Sequence, residues 1–94
     1  MAQVIRAGVE REGAMEDWQR LLVAVFDLAG GSTNEGVNAI AAGNRAGLGY
    51  PDPGLRSEEF DAAARYLKEN RLVTGHTDLR LTAAGAEEAG RIKG

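Results

Sequence analysis

The stretch RLVTGHTDLRLTAAG, from Arg71 to Gly85, constrains the fold of this chain more than any other. Leu72, Val73, Leu79 and Leu81 flank the polar run TGHTD, and Gly75 supplies a residue that tolerates a sharp reversal. Apolar residues alternating with polar ones suit two short strands with one face buried. The pattern predicts an antiparallel hairpin with strands around 71–74 and 79–82 and a turn over 75–78. Thr82, followed by small residues, is placed to cap a closing helix over AAGAEEAGRI that ends at Gly94.

A lone hairpin is marginal in water, so other elements must cover its apolar face. EDWQRLLVAVFDLAGG supplies one. Trp18, Leu21, Leu22, Val25, Leu28 and Ala29 recur at helical spacing and predict a single buried stripe, with Trp18 in the core. Glu16 and Asp17 suit the positive N-terminal end, and Gly30 or Gly31 stops the helix. Ser32 and Glu35 then have the spacing of a capping box. They predict a shorter second helix with Val37, Ile40 and Ala41 as its apolar face and an end at Gly43 or Asn44.

NRAGLGYPDPGLR is broken by Gly and Pro and reads as a long loop, with Leu48 and Tyr50 turned to the core. SEEFDAAARYLKEN is the clearest helix. Ser57 is its expected cap, and Glu58 and Glu59 occupy its first turn. Phe60, Ala63, Ala64 and Leu67 form the inward stripe, which leaves Glu58, Ala62, Arg65 and Glu69 facing outward.

With 94 residues the chain is expected to form one domain over 15–94, preceded by a tail or strand over 1–14. Cysteine is absent, which removes disulfides and thiol chemistry and fits a cytoplasmic protein. MAQVIRAGVEREG is interrupted by Arg6 and Glu10, so neither a signal peptide nor a membrane contact is expected. No cofactor or metal is expected either. His76 is the single histidine, and a His76–Asp78 pair on a hairpin makes a poor metal site. Ser32 and Ser57 serve better as caps than as nucleophiles, and GGST follows no clear strand and lacks the phosphate-loop lysine. Catalysis is therefore not expected, since none of its roles can be filled.

AAARYLKENRLVTGHTDLRLTAAGAEEA resembles the second half of a winged helix-turn-helix domain. In that family a third helix ends in a pattern like aLryLeenGLV, a two-stranded wing follows, and LTxaG opens a closing helix. The matching positions are Ala64, Leu67, Leu72, Val73, Leu81, Thr82 and Gly85, and the resemblance spans roughly residues 17–92. The long Gly- and Pro-rich connection before the third helix departs from the family, and Arg71 stands where the family often has Gly. The resemblance implies a mostly α fold with a small β-hairpin: three helices, a two-stranded wing and a C-terminal helix.

It also implies a partner, double-stranded DNA, and a role like that of a transcriptional regulator. The third helix of such a domain lies in the major groove. Arg65 is then the base-reading candidate on its outer face, and Arg71, His76 and Arg80 of the wing are the phosphate contacts. Arg45 and Arg56 bracket the long loop and extend this basic rim. Charge points the other way. Residues 57–70 carry two bases against four acids, and the whole chain is −3. Acids facing phosphate remove the main source of DNA affinity. The alternative is a winged-helix protein–protein interaction module that makes no DNA contact. Val23 and Ala24, off the buried stripe, would join Val4, Ile5 and Val9 in a homodimer or partner surface. Both readings stay open on sequence alone, since fold does not fix function.

Overall fold

The computed structural model of the chain describes residues 15–48 and 58–94. In order these form α1 (Asp17–Ala29), β1 (Val37–Asn38), α2 (Ala39–Ala46), α3 (Glu58–Glu69), β2 (Val73–Thr74), β3 (Asp78–Leu81) and α4 (Ala83–Lys93). The strands make one antiparallel sheet in the order β1-β3-β2. Tyr50, Ser57 and the 1–14 segment, for which the sequence carried expectations, lie outside the described residues. Among the described residues no helix is long and apolar enough to cross a membrane.

The core is built around α1, which packs against the other three helices and the sheet. Leu21, Leu22 and Val25 are fully buried along it. Its first turn is closed by a capping box. The Glu16 carboxylate accepts a backbone N–H from Gln19, and the Gln19 side chain accepts the Glu16 N–H at 2.7 Å. Its last turn ends at Gly30, which takes the left-handed conformation while Gly31 N–H reaches back to Phe26 O at 2.9 Å. The buried side is wider than the stripe expected from spacing. Ala24, expected outside, is buried and lines a groove shared with Ala46 of α2. Leu28, expected inside, is 43% exposed in the final turn. A small side chain allows close helix approach, so Ala24 is covered where a larger residue would hold α2 away.

The second helix differs from its expectation in start, end and face. No Ser32–Glu35 capping box forms. The Ser32 hydroxyl instead accepts the Asn34 N–H at 3.0 Å in a local turn. Val37 and Asn38 are extended as β1, opposite Leu79 and Asp78 of β3. Helix α2 then begins with Asn38 as cap, its side-chain oxygen accepting the Ala41 N–H at 3.1 Å. It runs past Gly43 and Asn44 to a left-handed Gly47. Ala39, Ala42, Gly43 and Ala46 are its buried face, while Ala41 is exposed and Ile40 half-buried. Two capping signals compete here, and the later one prevails for physical reasons. Starting at Asn38 keeps Gly36 out of the helix and lets β-branched Val37 lie buried opposite Leu79.

The hairpin forms, but on a shorter first strand than alternation predicts: Arg71 turns left-handed, Leu72 and Thr82 lie outside the ladder, and Asp78, expected in the turn, opens β3. Val73 pairs with Leu81 and Thr74 with Arg80. Val73, Leu79 and Leu81 are buried, and the residues between them are exposed. Because β1 joins the other side of β3, the two-stranded element becomes a three-stranded sheet. The start of α2 is tied to it as well, through Ala39 N–H to Thr77 O at 2.8 Å.

The base of the hairpin is closely packed backbone against backbone. α3 ends with Leu72 N–H on Leu67 O at 2.8 Å and Arg71 in the left-handed region at φ 60°. The Thr82 hydroxyl donates to Arg71 O at 2.7 Å and accepts the Gly85 N–H at 2.9 Å. Thr82 N–H donates to Leu72 O at 3.1 Å. Gly85 sits so close to this turn that a Cβ on it would lie 1.8 Å from Leu72 O.

Two substitutions test this geometry by urea denaturation. Gly85→Ala must push two backbones apart and should cost about 3 kcal/mol or more, at the upper end of overpacking penalties. Arg71→Gly relieves a left-handed Cβ worth about 1–2 kcal/mol, against about 0.4–1 kcal/mol of added unfolded-state entropy. It should therefore stabilise the domain by about 0.5–1 kcal/mol.

Candidate nucleic-acid interface

Helix α3 presents the face that its spacing predicts. Phe60, Ala63, Ala64 and Leu67 are buried, and Glu58, Ala62, Arg65 and Glu69 are exposed. Its exposed ridge has two unlike edges. The edge toward the hairpin borders a shallow depression lined by Asp61, Ala64, Arg65, Lys68, Glu69 and His76. The hairpin tip folds back onto this edge, bringing His76 Nδ1 to 3.3 Å from Lys68 Nζ. Lysine can only donate, so in this contact the histidine nitrogen takes the acceptor role.

This arrangement gathers two of the six sequence candidates, Arg65 and His76, and adds Lys68. The sequence held a signal for Lys68, which lies three residues beyond Arg65 and so on the same helical edge. Arg80 and Arg71 are exposed elsewhere on and beneath the hairpin. Arg80 points outward from β3, with its guanidinium and the Asp78 carboxylate both near Gly36. Arg65, Arg71 and Arg80 form no ion pair among the described residues. Arg56 lies outside the described residues.

Arg45 is held at a different place. Its guanidinium lies 3.4 Å from Asp27 of α1, and the same carboxylate takes Lys93 of α4 at 2.7 Å. Asp27 thus links three helices. The Lys93 hydrogen bond, helped by the Lys93 and Arg45 charges, holds the Asp27 carboxyl below its ordinary range against a smaller opposing effect of burial. The nearby groove is lined by Met15, Arg20, Val23, Ala24, Asp27, Arg45 and Ala46. Val23 is half-buried there and Ala24 buried, so the pair does not offer the open apolar surface expected of it.

The other edge of α3 carries a feature that the sequence did not reveal. Trp18, expected as a core residue, is half-buried and stacks on Tyr66 with ring centroids 4.6 Å apart and planes 25° from parallel. Its indole N–H donates to Glu16 at 3.1 Å. The two rings come from positions far apart in the chain, and no local pattern pairs them.

No protein family, curated protein or solved structure matches this chain.

The Asp27 junction makes stability depend on acidity. Its folded carboxyl titrates below the unfolded one, so its contribution is complete above the unfolded value of about 3.9 and is lost as pH falls through the lower folded value. Asp27→Asn should cost up to about 1 kcal/mol at neutral pH, the range of partly exposed ion pairs. The gap between variant and parent, followed by urea denaturation, should close below about pH 4 and narrow in high salt.

Proposed function

We propose that the chain is a small winged-helix domain that binds double-stranded DNA along the edge where α3 meets the hairpin, as a transcriptional regulator would. The observation that carries this reading is the convergence of Arg65, Lys68 and His76 at that junction, where they offset the Asp61 and Glu69 carboxylates in a chain that is acidic as a whole. The winged-helix assignment itself draws support from the hairpin and the Thr82-capped closing helix, both of which the family resemblance implied. In this reading the hairpin is the wing.

The acids of α3 determine how the duplex is met. Glu58, Glu59 and Asp61 crowd the first turn and repel phosphate. The duplex therefore meets the C-terminal half of α3, where Arg65 and Lys68 stand against the single Glu69, and the wing. Arg65 is the side chain suited to reach a guanine edge, where a bidentate contact discriminates bases. Lys68, Arg71, His76 and Arg80 act on the phosphate backbone and set register without reading sequence. Pairing of β1 with β3 holds the wing as part of a sheet, so its contacts require less ordering on binding.

A second reading, a winged-helix protein–protein interaction module without DNA contact, is favoured by the same acidic first turn of α3. The two separate in a titration against random duplex DNA at low and moderate salt. With three or four phosphate contacts, log affinity should fall against log salt with a slope of about −3. The triple change Arg71→Gly, His76→Ala, Arg80→Ala should abolish binding with an unchanged circular dichroism spectrum. No affinity for duplex in the unmodified protein at about 50 mM salt, where electrostatic attraction is strong, overturns the DNA reading in favour of the interaction module.

A further inference from the structure

On the edge of α3 away from the hairpin, Trp18 and Tyr66 form part of a shallow groove between α3 and the first turn of α1. Ala62 and Ala63 complete its apolar floor, and the remaining lining is Glu16, Asp17 and Glu59. No basic side chain lines it among the described residues. Tyr66 remains 41% exposed although its neighbour Trp18 is packed against the core, one of two large apolar side chains so exposed among the described residues.

The three carboxylates differ in what they already hold. Glu16 accepts the Trp18 indole N–H and caps α1. Asp17 pairs with Arg20. Glu59 has no partner among the described residues and lines the same groove about two helical turns before Tyr66. An aromatic floor under a rim of carboxylates repels phosphate and is too ionised for a purely apolar ligand. It is complementary to a cation with a flat face.

We propose that this groove docks an arginine side chain on a basic segment of a protein partner, with the guanidinium lying against Tyr66 and bonded to Glu59. Arginine fits better than lysine because its planar group stacks on an aromatic ring and forks to a carboxylate at the same time. The surface is on the far edge of α3 from the depression beside the hairpin and does not depend on the DNA reading. A partner held there leaves the hairpin edge open.

Trp18 is the single tryptophan of the chain, so its fluorescence reports directly on the groove. The probes are blocked peptides of alternating Gly with Arg, Lys or Glu, titrated into the full chain. The Arg peptide should change Trp18 emission saturably, the Lys peptide should bind more weakly, and the Glu peptide should have no effect. Glu59→Gln and Tyr66→Ala should each weaken Arg-peptide binding about two- to five-fold, as an exposed ion pair or cation–π contact does. Glu59→Gln changes one exposed side chain and leaves the fold intact, so its effect cannot come from unfolding. The changes Arg71→Gly, His76→Ala and Arg80→Ala should leave peptide binding as it was. The proposal is overturned if emission does not respond, or if Glu59→Gln and Tyr66→Ala bind the Arg peptide as the parent does. It is equally overturned if duplex DNA competes for the groove, or if sedimentation shows a second copy filling it in a dimer that Tyr66→Ala dissociates.

Discussion

The close approach of Gly85 to the carbonyl of Leu72 is the constraint on which the rest of the described structure turns. Two backbones meet there with no room for a side chain between them. Thr82 closes the contact by donating to one side of the turn and accepting from the other. The start of α4 is thereby fixed to the end of α3, and the hairpin between them has no slack. With its base fixed and Thr77 O held by Ala39 N–H, its tip lies over the flank of α3, where His76 reaches Lys68. The basic edge is thus a consequence of backbone packing several residues away. The strain at Arg71 belongs to the same knot, because that residue must turn left-handed for Leu72 to arrive where Gly85 meets it.

What was legible in the sequence was local. The hairpin's existence and its inward residues followed from alternation around Gly75, the cap of α4 from Thr82, and the outward face of α3 from its period. Each of those signals lies within a few residues of the structure it specifies. What was not legible depended on partners distant in sequence. Val37 is a strand residue only because Leu79 lies across from it. Without that knowledge, Ser32 and Glu35 looked like the better helix start. Spacing places Arg45 on a basic rim, but its partner Asp27, which also holds Lys93, leaves no signal in the local sequence. Trp18 carried the helical period of a core residue, and its stack on Tyr66 at the surface follows from how α1 and α3 meet at their edge.

One edge of α3 mixes Arg65 and Lys68 with Asp61 and Glu69 while the other carries carboxylates alone, and the distance between them bears on whether they interfere. A helix with its side chains is about 10–12 Å across, while charges are screened over about 8 Å at physiological ionic strength. A ligand on either edge therefore senses mainly the charges it touches. At about 0.01 M salt the screening length grows to about 30 Å, and the acidic rim then reduces the attraction of the basic edge for any anion. A chain with net charge −3 can present a cationic contact surface on these terms, provided the surface works at short range.

The bond from Ala39 N–H to Thr77 O has a consequence for how the molecule breathes. It ties the first turn of α2 to the hairpin tip, beside the pairing of β1 with β3. Lifting the hairpin from the core would break that bond, strip β1 of its partner and loosen the Asn38 cap in one event. The sheet and the beginning of α2 thus belong to a single opening unit, although they are separated along the chain by the whole of α3. Amide exchange in such a unit is governed by one shared opening free energy. A molecule that grips the hairpin would slow exchange in α2 without touching it.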